Sequence, residues 1–597
     1  MIAILGKNGS SPPDEALART MLAAAPHRGS CLTLRVLGNC VLGIATRPDF
    51  MDASVSAEGA LVAALSGRVD NAPELHRTLT AAGFPPASPR DADVIVAAVK
   101  AFGPDAPNRM RGSFAGIVTD GRALWCFRDH AGFRPLFYRD GSRAFVAASE
   151  PRQVVVGAQI PEEPDLTVLE QILYGRMPSD IPAALKGVSR LAQASTLTVD
   201  GVSRVAVRRY WHPAELLESA RLSPTDVRDR FLQLMAQAAA RTLTGKDAIL
   251  LSGGIDSPAV AAFAAPDHRQ RTGRPIGALS CVFPDLPTVD ERRYIELVAQ
   301  HFGIELHTYR PRARALDDVE QWCRLLGSPV PILSVPEVAD SHARARRLGY
   351  ENVLTGDFAE FAFGNPRHLV SHLLSHRRWR ALAALLVTEH RRGVEWRRLA
   401  QHLLGTFVPG RWANWYVHWR RLDAPERIPD WLDARTARPG PYRTDLLPPS
   451  RQRWQQLQLL GTEGSTITIE AAEVCAAIAG VTVRRPFADV DLWEFFLRLP
   501  AEVKCPDQRD KTLARSLLRG TLPDPILDRR DKTYFDDHVM AQVDYATLRR
   551  LLATPRHRMP GVDYRRLAQR IDQGSFNRFD WFWAKDLACI HAFLNAW

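Results

Sequence analysis

The stretch 250-LLSGGIDSPAVAA-262 joins residue types that suit one task. A short apolar run reaches Leu250 and ends in Ser252, Gly253 and Gly254. Ile255, Asp256 and Ser257 follow, and a run of small residues continues as a helix. Two glycines let backbone N–H groups converge, and a helix N-terminus adds positive partial charge, so the turn suits an anion. The hydroxyls of Ser252 and Ser257 add donors. Asp256 would repel phosphate unless a divalent cation lay between them, so turn and carboxylate together point to a nucleotide pyrophosphate carried with Mg2+. No lysine follows the glycines, which separates this turn from the P-loop. Pro258 is compatible with the first turn of a helix, where its missing N–H is not needed. A tight strand-to-helix turn without a ligand is the alternative.

The elements that must hold this turn are legible as patterns. From about 224 to 242 a long helix precedes a buried strand at 247–252. Helix, strand (276–283), helix (290–303) and a short strand (304–309) then alternate, which predicts a parallel, doubly wound α/β sheet. From about 365 onward the pattern is mostly helical, with a Pro- and Arg-rich loop or insertion over 421–452. Residues 1–210 differ: short β-branched segments, hairpin signals at 120-DG-121 and 200-DG-201, and two helices. These helices are predicted over 73–83, stopped by Gly83, and over 91–103, with Asp91 as N-cap and Gly103 beyond the end. That is an antiparallel α+β domain, so the chain divides into 1–210 and 215–597, the second part carrying an insertion near 365–450.

Bulk properties set the limits. At 597 residues the chain exceeds one hydrophobic core. No apolar run reaches the roughly 18 residues of a membrane span, and the start MIAILGKNGSSPP lacks the charge and apolar length of a signal peptide, so the expectation is cytoplasmic. Eight scattered cysteines fit neither structural zinc nor a disulfide framework and read as reduced thiols, mostly buried. The net charge of +11 concentrates in arginines over 376–398 and 411–421. Without a nucleic-acid module these read as solvated helix faces or a dock for acidic ligands, and nucleic-acid binding is not expected.

The turn Ser252–Ser257 resembles the pyrophosphate loop of the ATP pyrophosphatases, specifically the asparagine synthetase superfamily. The resemblance extends in order through Asp290-Glu291, 353-VLTGDFAEFAFG-364, 484-RRPFAD-489 with 499-LP-500, 510-DKTLAR-515 and 523-PDPILDRRDK-532. It implies adenylation of a carboxylate by MgATP and attack of an amine on the acyl adenylate. It implies that 252–257 cradles pyrophosphate, that Asp256 holds Mg2+, and that Leu250, Val282, Thr355 and Gly356 flank the nucleotide. Lys511 would meet the phosphates or the oxyanion forming at the acyl carbon, the kind of charge stabilisation that carries much of catalysis. Arg515 and Lys532 are either further phosphate contacts or surface ion pairs. The second loop departs from the family's pattern. Glu360 stands where the resemblance expects a metal-binding Asp and Phe361 follows it, so Glu360, or else Asp357, is the second metal ligand.

The N-terminal part is similar to the family's N-terminal-nucleophile glutaminase domain through 26-PHRGS-30, 66-SGRVDN-71 and 128-RDHAGFRPLFY-138. A glutaminase of that kind uses a cysteine at residue 2, whose thiolate attacks the amide. Here residue 2 is Ile, and Arg68 occupies the place of the acid that would bind glutamine. Neither Cys31 nor Cys40 is a substitute, so the domain is expected to be an inactive amidotransferase-like scaffold or docking module.

Without ammonia from glutamine, the amine must come with the substrate, and amine plus carboxylate on one molecule gives a ring. The resemblance then implies a lasso-peptide cyclase, which joins an Asp or Glu side chain of a core peptide to its N-terminal amine. Such an enzyme implies as partners a precursor peptide, a leader-recognition protein and a leader peptidase. The aromatic segments 412–419 and 428–432 would line a peptide cavity, or else pack as core. A β-lactam-type or other small-molecule amide synthetase is the first alternative, and a non-catalytic nucleotide-binding regulator the second.

Overall fold

The computed structural model describes residues 1–597 except 7–13, 51–52, 59, 176–179, 201–203, 221, 312–315, 365, 367–368, 397–428, 434–453, 456–457, 460–465, 510, 530–537, 539–543, 554, 575 and 577. The insertion's 397–428 and 434–453, and with them the aromatic segment 412–419, lie outside the described residues, as does Lys532.

Two six-stranded antiparallel sheets make the N-terminal part. In one, the strand Ile2–Gly6 is central, paired on one side with Cys40–Thr46 and on the other with Ala144–Ala148. The period-2 alternation of a strand sends Ala3 and Leu5 into the core between the sheets, with Leu42, Ala64 and Ile117. Ile2 and Ile4 face the other way, into a second core shared with Met21, Val154 and the C-terminal helix Arg578–Ala596. The second sheet is covered by the helices Ala72–Ala81 and Asp91–Phe102. Asp91 is the first residue of its helix, with Arg90 at the cap position. Its carboxylate accepts instead from the Val69 N–H at 3.0 Å, because a strand end needed that acceptor more than the helix did.

The second part is built on a five-stranded parallel sheet. Asp247–Leu250 is central. Gly277–Cys281 and then Glu305–Tyr309 extend it on one side, Asn352–Leu354 and then Thr482–Arg484 on the other. The fifth strand is an addition to the mostly helical pattern expected after 365. Three residues are too short for periodicity to show, and only pairing with Asn352–Leu354 makes them a strand. Helices cover both faces, among them Pro224–Thr242, Asp256–Thr272, Arg292–Phe302 and Val335–Arg347.

Buried ion pairs join the two parts. Glu470 and Glu473 lie on the helix Thr466–Ala479 of the second part. Glu470 accepts from Arg128 at 3.0 Å and Arg190 at 2.9 Å, both from the first part. Asp70 pairs with Arg484 at the end of the fifth strand. Removing one member of such a pair strands a buried charge, at a cost of about 3–5 kcal/mol.

Candidate active site

In an open parallel sheet, ligands bind beyond the carboxyl ends of the strands where the strand order reverses direction. Here that point lies between Asp247–Leu250 and Asn352–Leu354. The loops leaving these strands are Leu251–Ile255 and Thr355–Phe358, the two that the sequence singled out. They touch: a Cβ on Gly356 would lie 2.6 Å from the Ser257 nitrogen and 2.9 Å from Asp256 Cβ, so only glycine fits there. Thr355, buried, is tied to the fifth strand by its N–H on the Arg484 carbonyl at 2.9 Å. Leu250 and Val282 end adjacent strands beside this crevice, with the Val282 N–H on the Tyr309 carbonyl at 2.9 Å.

The glycine turn is held from outside. The Gly253 N–H donates to Glu291 at 2.9 Å. Arg529 Nη1 bridges the Gly253 carbonyl at 2.9 Å and Glu291 at 2.7 Å. Gly253 is further crowded by Glu291 Cβ at 2.8 Å and Tyr294 Cβ at 2.9 Å. The Ser257 hydroxyl accepts from the Ser252 N–H at 2.9 Å, and the Ser252 and Ser257 oxygens lie 3.0 Å apart, closing the turn on itself. Ile255 is buried beneath it, anchoring the helix Asp256–Thr272.

Asp256 opens that helix, and its Oδ2 accepts from Lys511 Nζ. Lys511 comes from 255 residues away and sits at the head of the helix Thr512–Leu517 with a left-handed backbone, φ 59°. Both side chains are only about one quarter exposed (25% and 24%). Asp256 Oδ1 is buried with no hydrogen-bond partner among the described residues, an expensive state for a carboxylate oxygen. Glu360 opens onto solvent at the rim of the crevice. Burial against the wall and the charges of Asp256 and Asp357 push its carboxyl up from the usual range.

An orphaned carboxylate oxygen, a lysine already at its partner oxygen, and two further carboxylates within electrostatic reach fit a divalent cation held jointly with phosphate oxygens. Such a Mg2+ needs only one or two protein carboxylates. Asp256 and Glu360 would hold it, and when bound it would neutralise charge on the departing pyrophosphate. Among the described residues no group of three or more His, Cys, Asp or Glu forms a separate metal cage.

Arg515 is placed away from the glycine turn, and Trp431 takes the packed-core alternative. Arg515 turns its guanidinium onto the Leu527 carbonyl, so the structure uses it to tie two C-terminal segments rather than presenting it to the glycine turn. Trp431 of 428–432 lines no cavity. It is fully buried and donates to Asp580 at 3.0 Å within the core against the C-terminal helix. Arg529 and Glu291 were missed as a pair. Glu291 belonged to a recognised motif and Arg529 lay within another, but no spacing rule joins residues 238 apart.

The nucleophile position of the first part is Ile2, fully buried in the central strand. Cys40 is buried under Thr119, and burial pushes its thiol up to about 11. Cys31 is exposed on the strand Cys31–Leu37. Arg68 points to solvent. Motif residues that shape the backbone are intact: Asp129 accepts N–H bonds from Phe114, Ala131, Phe133 and Arg134 at 3.0–3.2 Å.

An antiparallel two-sheet domain is thus joined to a parallel-sheet domain with a crevice where the strand order reverses. The asparagine synthase family model matches residues 230–578, and the glutamine amidotransferase domain model residues 1–211. The chain belongs to the asparagine synthase family. It is 25% identical over 500 residues to asparagine synthetase [glutamine-hydrolyzing] 3 of Bacillus subtilis, covering 79% of this chain and 75% of that one. It is 28% identical over 242 residues to the carboxyethyl-arginine beta-lactam-synthase of Streptomyces clavuligerus, covering 40% of this chain and 42% of that one. It is 26% identical over 258 residues to the amidase chyE of Penicillium rubens, covering 41% and 38%. The protein is an ATP-dependent, amide-bond-forming ligase. Among the described residues no helix is long and apolar enough to cross a membrane.

Proposed function

We propose that this ligase closes a ring on its substrate: it adenylates an Asp or Glu side chain of a core peptide and joins it to that peptide's N-terminal amine, in the manner of lasso-peptide cyclases. The single observation that carries the reading is the contrast between an intact pyrophosphate turn and Ile2, a buried hydrocarbon where a glutaminase needs its thiol. Activation is retained and the ammonia supply is gone, so the nucleophilic nitrogen arrives on the substrate.

In the first step a carboxylate oxygen attacks the α-phosphorus of ATP and the bond to pyrophosphate breaks. The turn 252–257 receives the leaving group with backbone N–H groups and two hydroxyls, while Lys511 stands beside it as a donor to the developing charge. In the second, the amine attacks the acyl carbon, AMP departs with the carboxylate oxygen, and the amine gives up a proton. Holding both groups in one crevice makes the second step effectively unimolecular, a gain of about 7–11 kcal/mol in favourable cases. A precursor peptide, a leader-recognition protein and a leader peptidase are the partners this reading requires.

Resemblance to the beta-lactam-synthase supports a second reading, closure of a small ring on an amino-acid-sized substrate. The test is a linear core peptide incubated with enzyme and MgATP. The peptide reading expects a product lighter by one water, with AMP and pyrophosphate formed in step. Turnover with small amino acids only would favour the second reading, and glutamine-derived nitrogen in any product would refute both.

A further inference from the structure

The first part has lost its nucleophile, yet its 128–138 loop reaches the ligase crevice. Phe133 packs edge-on against Phe358 with ring centres 5.2 Å apart. Phe358 holds a left-handed backbone, φ 74°, between Asp357 and Ala359. A side chain as large as phenylalanine persists there only when its surroundings over-determine it. Those surroundings are Phe133, Phe361 at 5.6 Å and Trp493 at 5.7 Å. The face of Phe133 also carries the guanidinium of Arg485, 4.7 Å from the ring centre. Arg485 is buried, bonded to Glu473 at 2.9 Å, and aimed at Asp357 with Nε 3.6 Å from its carboxylate.

Next to Phe133 in the chain, Arg134 lies 3.4 Å from the other oxygen of Glu473. Arg134 in turn passes over Gly67, where a Cβ would sit 2.9 Å from its Cγ and 2.0 Å from the Ser113 carbonyl oxygen. Gly67 belongs to 66-SGRVDN-71, the segment whose glutamine-binding acid is replaced by Arg68. What remains of the glutaminase site is therefore the part that lets Arg134 and Phe133 approach the neighbouring domain.

We propose that the N-terminal domain is a brace for the ligase site: Phe133 and Arg134, acting through Phe358, Glu473 and Arg485, hold the loop 356–360 so that Asp357 and Glu360 face Asp256. Phe133 and Arg485 are positioning residues, two contacts removed from the phosphates. The inference rests on the metal and nucleotide reading of that crevice and gives the retained domain a function within it.

The test uses the full-length chain and measures Mn2+ binding by electron paramagnetic resonance in the presence of a non-hydrolysable ATP analogue, with amide hydrogen exchange of 355–361 beside it. Phe133→Ala and Arg485→Gln are expected to weaken Mn2+ binding about tenfold, the scale for residues that orient metal ligands, and to speed exchange in that loop. Phe133→Leu, which refills the space beneath Phe358, is expected to recover most of both. Folded Phe133→Ala and Arg485→Gln variants with wild-type Mn2+ binding and loop exchange would overturn the brace. So would a drop in melting temperature with unchanged metal binding, which marks a merely structural contact. Should Phe133→Ala not fold, Arg485→Gln decides alone. Asp256→Asn separates the two layers: if it binds Mn2+ and analogue as wild type does, the crevice reading itself fails, whereas loss there with no change at Phe133 and Arg485 removes only the brace.

Discussion

The two halves of this molecule match two different family models, asparagine synthase over 230–578 and glutamine amidotransferase over 1–211, and they differ in which motif residues they carry. In the second half the residues expected to face phosphate are brought together: Asp256 and Lys511 meet across 255 positions, and Gly356 admits the two loops to contact. In the first half Ile2 and Arg68 stand where the resemblance expects the thiol and the glutamine-binding acid, while residues that shape the chain are in place, such as Asp129 with its four N–H donors and the buried Arg28–Glu150 pair at 2.6 Å. The difference teaches that a motif has two kinds of member. Side chains that make chemistry can be dropped without unfolding the domain; side chains that satisfy buried backbone cannot, because each orphaned group costs about 1–3 kcal/mol.

That contrast can be broken by substitution, beginning with the half expected to be chemically alive. Asp256→Ala is expected to reduce ATP–pyrophosphate exchange by about three orders of magnitude or more, since both the lysine partner and the metal-facing oxygen disappear; exchange near the wild-type rate would refute the assignment. Lys511→Ala should cost about two to three orders in the same assay, the range for one lost donor to developing charge.

In the other half the expected effects fall on stability. Burial alone would raise the Glu150 carboxyl, but Arg28 and His27 overcome it and hold it down to about 2. A folded-state value below the unfolded 4.5 means the pair stabilises fully above pH 4.5 and that this contribution is lost as pH falls toward 2. Glu150→Gln should lower stability near neutrality by about 3 kcal/mol and flatten the acid limb of a denaturation-against-pH curve in that window; an unchanged limb would show that the pair is not coupled to folding. Ile2→Cys should be the mildest, about 1–2 kcal/mol for a truncated core side chain. Glutamate release from glutamine should stay at background, because Arg68 still stands where the substrate acid-binder would be. Release above background would erase the distinction between the halves.

Much of the site was legible because it is local. A turn of Ser252, Gly253, Gly254, Asp256 and Ser257 after an apolar run carries its own geometry, and alternating helix and strand patterns placed it at the end of a parallel strand. Less was legible where the partner is distant. For Arg515 the motif leaves a phosphate contact or a surface ion pair open, and the fold turns its guanidinium onto the Leu527 carbonyl instead. For Trp431 the sequence leaves cavity wall and packed core both open, and only the fold decides for the core, against Asp580 149 residues away. The strand Thr482–Arg484 has too few residues for a period and exists because a sheet edge was open to it.

By itself, then, the order of residues determined the anion turn, the strand that presents it, and the loss of the thiol at position 2, each a matter of residue type within one or two turns of chain. Only tertiary structure decided which carboxylate meets Lys511, which arginine clamps Gly253, and that a loop of the N-terminal domain presses on the ligase domain. Those outcomes depend on burial and charge pairing between segments more than a hundred residues apart, where no periodicity reaches and packing alone selects the partner.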